Sequence, residues 1–194
     1  MTEPAFNWPK KGDNVFGPLA RVAREGFVMP PEGAYLFGFK LAADMVVAAV
    51  PTEGRYANDL FFPIAYLYRH HLELMLKELI RLGLRLGSLN GCEDILGEHS
   101  LHRLWNKAKQ LIKASGPDSP DDELNVVEKM IGEFHELDKT SQAFRYARDR
   151  YGAPHLQVAP QRVDLDNLRT KVDALSRFLD AAYAGIESCD PGSP

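Results

Sequence analysis

The sequence predicts an all-α fold, an antiparallel bundle of about five amphipathic helices. Three observations lead there. Apolar residues recur with the roughly 3.6-residue period of a helix face in five separate stretches. Links carrying proline and glycine separate most of those stretches. No segment alternates with period two for long enough to make a convincing strand. The 194 residues, 45% hydrophobic and 26% charged, suit one globular domain with a short extension.

Taken in order, residues 1–31 carry Pro4, Pro9, Pro18, Pro30 and Pro31 with Gly12, Gly17 and Gly26 between them. These break any long helix and leave residues 19–25 room for a short one. Phe6, Trp8 and Phe16 predict an irregular arm that packs on the body. A first helix is expected over residues 32–50, with Leu36, Phe39, Ala43, Val46 and Val50 on one face and Pro51 ending it. The second is long, residues 58–86, with Asn58 as its N-cap and Pro63 in its early turns. Gly83 and Gly87 mark its end, and residues 87–98 form a loop.

A third helix over residues 100–114 buries Leu101, Leu104, Trp105, Ala108, Leu111 and Ile112. Its other face carries Arg103, Lys107, Lys109 and Lys113, and Gly116, Pro117 and Pro120 break the chain after it. The fourth, residues 121–139, places Leu124, Val127, Ile131 and Phe134 together. Asp121, Asp122 and Glu123 in its first turn favour the helix dipole. Gly152, Pro154 and Pro160 make residues 148–162 a loop. The last helix, residues 164–187, buries Leu165, Leu168, Val172, Leu175, Leu179, Ala182 and Ile186. The division is therefore an arm (1–31), a bundle (32–187) and a flexible tail (188–194).

Composition narrows the function classes. With a net charge of −4, any nucleic-acid contact must use a local patch. Two isolated cysteines, Cys92 and Cys189, make neither a disulfide framework nor a zinc site, and read as free thiols in a reducing cytoplasm. The N-terminus carries acid and proline in place of a secretory signal. The longest apolar stretch, residues 60–67, is too short to span a bilayer and runs into Arg69, His70 and His71. A cytoplasmic protein without membrane association is expected.

Three segments concentrate polar chemistry. At about 100° per residue, Arg69, His70, Glu73, Lys77 and Arg81 share roughly a third of the second helix's circumference, below Phe62 and Tyr66. Arg69 with Glu73, and Glu73 with Lys77, are i,i+4 pairs that support the helix by a few tenths of a kcal/mol each. The face reads either as a solvated, salt-bridged surface or as an anion-binding or subunit-interface surface. His99 and His102 have the spacing of a metal pair, but Glu93, Asp94 and Glu98 lie in a loop. No metal site is expected, and His99 is read as capping the third helix. In the third segment, residues 138–146, Arg145 can fork onto a phosphate or onto Asp138.

These segments carry a family resemblance. His71-Leu72-Glu73-Leu74-Met75-Leu76-Lys77-Glu78-Leu79-Ile80 resembles the long helix of prokaryotic HEPN domains. Glu98-His99-Ser100-Leu101-His102-Arg103-Leu104 is similar to that family's histidine–small–leucine–x–x–leucine helix start, and Ser141-Gln142-Ala143-Phe144-Arg145-Tyr146 to its arginine–tyrosine segment. Order and spacing agree over residues 56–186. The resemblance implies a helical bundle, frequent dimerisation, and roles in toxin–antitoxin, abortive-infection or other defence systems. Many members are metal-independent ribonucleases with an Arg-x4–6-His motif on a helix at the dimer interface. Arg148 and Arg150 stand at that spacing from His155, but Tyr151-Gly152-Ala153-Pro154 reads as loop, so the motif is not carried onto them. Branches without it bind nucleotides or partner proteins.

The leading expectation is a HEPN-like homodimer that binds RNA or a nucleotide in a prokaryotic stress or defence system. A cognate antitoxin or other protein is the expected partner, and neither cofactor nor metal is expected. Arg69, Lys77 and Arg145 would hold phosphate oxygens, with Glu73 and Asp138 in support. His70 or His99 would do acid–base work, and Arg145 would stabilise charge in a cleavage through the ribose 2′-hydroxyl. The alternative, a non-catalytic dimerisation or interaction module, expects Arg69, Glu73 and Arg145 paired and buried with no open cleft. A third reading, a metal-dependent hydrolase, needs acids around His99 and His102.

Overall fold

The structure, a computed structural model, describes residues 32–51, 56–89, 91, 93–115, 121–156 and 162–188. The arm and short helix expected within residues 1–31, and the tail from residue 189, lie outside the described residues. The described part is an all-α bundle of five helices: α1 (Glu32–Ala49), α2 (Tyr56–Arg85), α3 (Leu101–Ser115), α4 (Asp121–Leu137) and α5 (Leu165–Ser188). A short 3₁₀ turn, Glu93–Gly97, precedes α3. The described residues contain no strand, only an isolated bridge between Arg148 and Pro154. None of the described helices is long and apolar enough to cross a membrane.

α2 is the axis of the bundle. It packs against α1, α3 and α5, whereas α4 packs against α3. Being covered on several sides, α2 buries Ile64, Tyr68, Leu72, Leu76, Leu79 and Ile80 almost completely. α3 supplies Leu101, Leu104 and Trp105, all fully enclosed, and α5 supplies Val172, Leu179 and Ile186. Burying a large aliphatic side chain contributes about 1.5–3 kcal/mol, so these stripes hold the helices together.

Helix ends follow local chemistry. α2 already runs at Tyr56, so Asn58 sits inside its first turn and does not cap it. At the other end Gly87 takes φ +72°, its N–H donates to the Leu84 carbonyl at 3.1 Å, and Ser88 N–H donates to the Gly83 carbonyl at 2.9 Å. That is the Schellman closure, which needs a residue free to adopt left-handed backbone. Ser100 caps α3, its Oγ accepting from Arg103 N–H at 3.3 Å. The cap expected at His99 therefore belongs to the next residue.

α1 is held from within. Lys40 lies between Asp44 and Asp173, at 2.9 and 3.0 Å, and Tyr68 donates to Asp44 at 2.7 Å. His71 bridges three helices, donating from Nδ1 to the Leu36 carbonyl at 2.6 Å and accepting at Nε2 from Ser176 Oγ at 3.0 Å. The outer side of α1 is apolar: Phe37, Leu41 and Met45 are 52%, 60% and 64% exposed.

Candidate functional site

The site grows from one line of α2. Arg69, Glu73 and Lys77 follow at i,i+4 intervals and stack along one stripe. That stripe faces inward, toward the start of α3 and the turn after α4, and all three side chains are buried. Arg69 Nη1 donates to Glu73 Oε2 and to Ser141 Oγ, both at 2.9 Å, and Nη2 donates to the His99 carbonyl at 2.6 Å. Nε donates to the Asp138 carbonyl at 3.3 Å and lies 3.4 Å from Asp138 Oδ2. A buried guanidinium is tolerated only when paired and hydrogen-bonded like this, so Arg69 ties α2 to α3 and to the 138–141 turn.

Glu73 uses its other oxygen on two further groups. Oε1 accepts from Lys77 Nζ at 2.9 Å and from His99 Nδ1 at 2.8 Å. Burial pushes the Glu73 carboxyl up, but the hydrogen bonds from Lys77, His99 and Arg69 outweigh it and hold the group below the usual carboxylate range. Because a carboxylate only accepts, His99 Nδ1 carries a proton and Nε2 is left as the free nitrogen. The ring is 64% exposed. A buried acid that fixes the tautomer of an accessible imidazole is an arrangement suited to proton transfer.

The turn after α4 supplies the second half. Asp138 Oδ1 accepts from the Gln142 and Ala143 N–H groups at 2.7 and 3.0 Å, closing a turn in which Ser141 takes φ +62°. Asp138 therefore pairs with Arg69, and Arg145 has other partners. Arg145 Nε donates to the Ser141 carbonyl at 2.7 Å. Its exposed guanidinium lies 5.8 Å from the Tyr66 ring centroid and 5.5 Å from that of Tyr146. Tyr66 stacks on His70 one turn later, with centroids 5.7 Å apart and planes 9° off parallel. Phe39 of α1 meets His70 edge-on at 4.5 Å. Burial pushes the His70 imidazole below its ordinary range, opposed by Glu73 and reinforced by Arg69, Lys77 and Arg145. Beside Arg145 is a cavity of about 310 Å³ walled by Phe62, Phe144, Tyr146 and Leu156.

The face expected on α2 thus divides. Arg69, Glu73 and Lys77 turn inward, Tyr66 and His70 sit at its half-buried edge, and Arg81 stays outside paired with Glu78. Arg69 and Lys77, read from sequence as phosphate ligands, have their charges matched internally by Glu73 and Asp138. His99, His70 and Arg145 keep exposed or half-exposed surface. Phe39 was expected only as part of an apolar helix face and Ser141 only as part of the arginine–tyrosine segment, neither as a site residue. A serine with positive φ has no sequence signature, and Phe39 reaches His70 from another helix.

His102 stacks on His135 with centroids 5.6 Å apart. Among the described residues, no three His, Cys, Asp or Glu side chains form a group able to hold a metal. The segment containing Arg148, Arg150 and His155 is a loop: Arg148 donates to the Gly152 carbonyl at 2.7 Å, and Arg150 lies over the Tyr151 ring at 4.7 Å. No family model, curated protein or solved structure matches this chain.

Proposed function

We propose that the protein is a HEPN-like bundle that binds RNA or a nucleotide at the surface formed by Arg145, Tyr66, Tyr146, His70 and His99, in a prokaryotic stress or defence system. The observation that carries this reading is Arg145: an exposed guanidinium lying over two tyrosine rings beside an aromatic-walled cavity. A guanidinium grips phosphate oxygens in a fork, and aromatic walls stack nucleobases, so one small surface offers both halves of nucleotide recognition.

In this reading Arg69 and Lys77 act from behind the surface as positioning residues. They fix Glu73, which orients His99, and Arg69 holds Ser141, whose carbonyl anchors Arg145. If RNA is cleaved, a neutral imidazole of His99 or His70 takes the proton of a ribose 2′-hydroxyl. The 2′-oxygen then attacks phosphorus to form the 2′,3′-cyclic phosphate, and the 5′-oxygen leaves with the proton that the imidazolium just formed gives up, directly or through a water. Arg145 offsets the charge that builds on the phosphoryl oxygens. Two copies would pair through the outer face of α1, because an uncharged patch meets its own copy without like-charge repulsion. A cognate antitoxin or other protein remains the proposed partner.

The alternative, a non-catalytic interaction module, draws support from the burial of Arg69 and Glu73. Arg145, exposed beside its cavity, favours the ligand reading. Fluorescence anisotropy with a labelled oligoribonucleotide, and calorimetry with ADP, separate the two. Arg145→Ala or Tyr66→Ala should weaken binding roughly 5- to 150-fold, the range expected for losing about 1–3 kcal/mol of stacking or phosphate contact. Binding without cleavage makes the protein a nucleotide or RNA binder. Cleavage abolished by His99→Ala or His70→Ala makes it a ribonuclease. No binding by the unmodified chain leaves the interaction module.

A further inference from the structure

α4 packs against α3 and α5 packs against α2, and between α4 and α5 the surface opens into a cavity of about 610 Å³. Its floor is apolar, built from Phe61, Ala65, Met130, Phe134, Leu168 and Leu175. A second, mainly apolar hollow of about 330 Å³ adjoins it along the same two helices, sharing Val126, Met130 and Leu175 and carrying Asp122 and Glu123 at its own lining, away from the cations of the larger chamber. The space is therefore elongated, and its first chamber lies in the roughly 300–1,000 Å³ range of small-molecule pockets.

The rim of the larger chamber is cationic. Lys129 on α4, Arg162 just before α5 and Lys171 on α5 all line it, and among the described residues none of the three is ion-paired. Two acids share the rim, Glu133 and Asp164. Asp164 also caps α5, its Oδ1 accepting from Asn167 N–H at 2.9 Å. With three cations against two acids, the rim keeps one positive charge in excess at the mouth of an apolar trough, which favours an anionic group seated among the cations. The apolar floor residues give the edge of a nucleobase nothing to hydrogen-bond with, in contrast to the surface around Arg145.

We infer that this trough binds a small amphipathic anion, an elongated apolar body with one carboxylate or phosphate head held by Lys129, Arg162 and Lys171. The inference does not depend on the nucleotide reading. cis-Parinaric acid, a fluorescent fatty acid, titrated into the full chain below its micelle concentration should bind saturably, one per chain, whereas its methyl ester should bind at least about tenfold more weakly. Lys129 and Lys171 are exposed, so a K129E/K171E double variant should fold, with thermal unfolding followed by circular dichroism as the check. It should lose at least about tenfold in affinity for the acid and little for the ester. Displacement by dodecanoate against dodecyl phosphate then identifies the head group, and either result supports the site. Absence of saturable binding, equal binding of acid and ester, displacement by neither, or unchanged affinity in the double variant would overturn it.

Discussion

Arg69 and Arg145 are chemically the same side chain in opposite situations, and they should behave oppositely when removed. Arg69 is enclosed between Glu73 and Asp138, so Arg69→Ala leaves Asp138 without its cation and Glu73 with only Lys77 and His99. Breaking a buried pair in this way costs about 3–5 kcal/mol, visible as a lower urea midpoint. Arg145 is exposed, and Arg145→Ala should change stability by no more than about 0.5 kcal/mol while impairing ligand binding. If Arg69→Ala unfolded at the same urea concentration as the parent chain, the pinning role given to that guanidinium would be wrong. The sequence made both arginines candidate phosphate ligands, Arg69 from its stripe on the second helix and Arg145 from the polar segment around it, because periodicity shows which residues share a stripe but not whether a polar stripe faces water or a neighbouring helix.

At the scale of elements, the five helices were legible because their signals are local: apolar period, breaker residues, acidic first turns. The bounds of α1, α3 and α5 differ from expectation by only a residue or so. The contacts between elements were less legible, and His71 is the clearest instance. Nothing in its neighbourhood announces that it donates to a carbonyl of α1 and accepts from a serine of α5. Burial pushes this imidazole below its ordinary range, opposed by the Leu36 carbonyl and Asp44 and aided by Lys40. A folded-state value below the unfolded one favours the neutral ring. Its contribution is therefore fully present above the unfolded value, near pH 6.5, and is lost as pH falls from there through the lower folded value. His70 and His135 are depressed as well and act in the same direction. The melting temperature should thus fall on acidification from about pH 7.5 to 5, and less steeply in His71→Gln. An identical slope in that variant would remove His71 from the explanation.

For the whole molecule, the bundle brings three distant segments of chain to one place: α2 at residues 66–77, the approach to α3 at His99, and the turn at residues 138–146. The order of these segments was readable, and so was their polar character. Their division into a buried brace and an outer, exposed surface depends on the three-dimensional packing. The same architecture leaves the outer face of α1 uncharged, and the proposed homodimer predicts twice the monomer mass in sedimentation equilibrium. Leu41→Glu with Met45→Glu should return it to the monomer, and a parent chain that is monomeric at all concentrations would remove the dimer from the proposal.

In the proposed function, ligand is met by His99 and Arg145 while Arg69 stays behind them as a brace. Side-chain ¹H–¹⁵N NMR of the full chain, titrated with a short oligoribonucleotide and separately with ADP, reads these groups directly. Saturable shifts are expected at His99 Nε2 and Arg145 Nε with at least one of the two ligands, with Arg69 Nε unmoved. Shifts at neither His99 nor Arg145, with either ligand up to millimolar concentration, would contradict it.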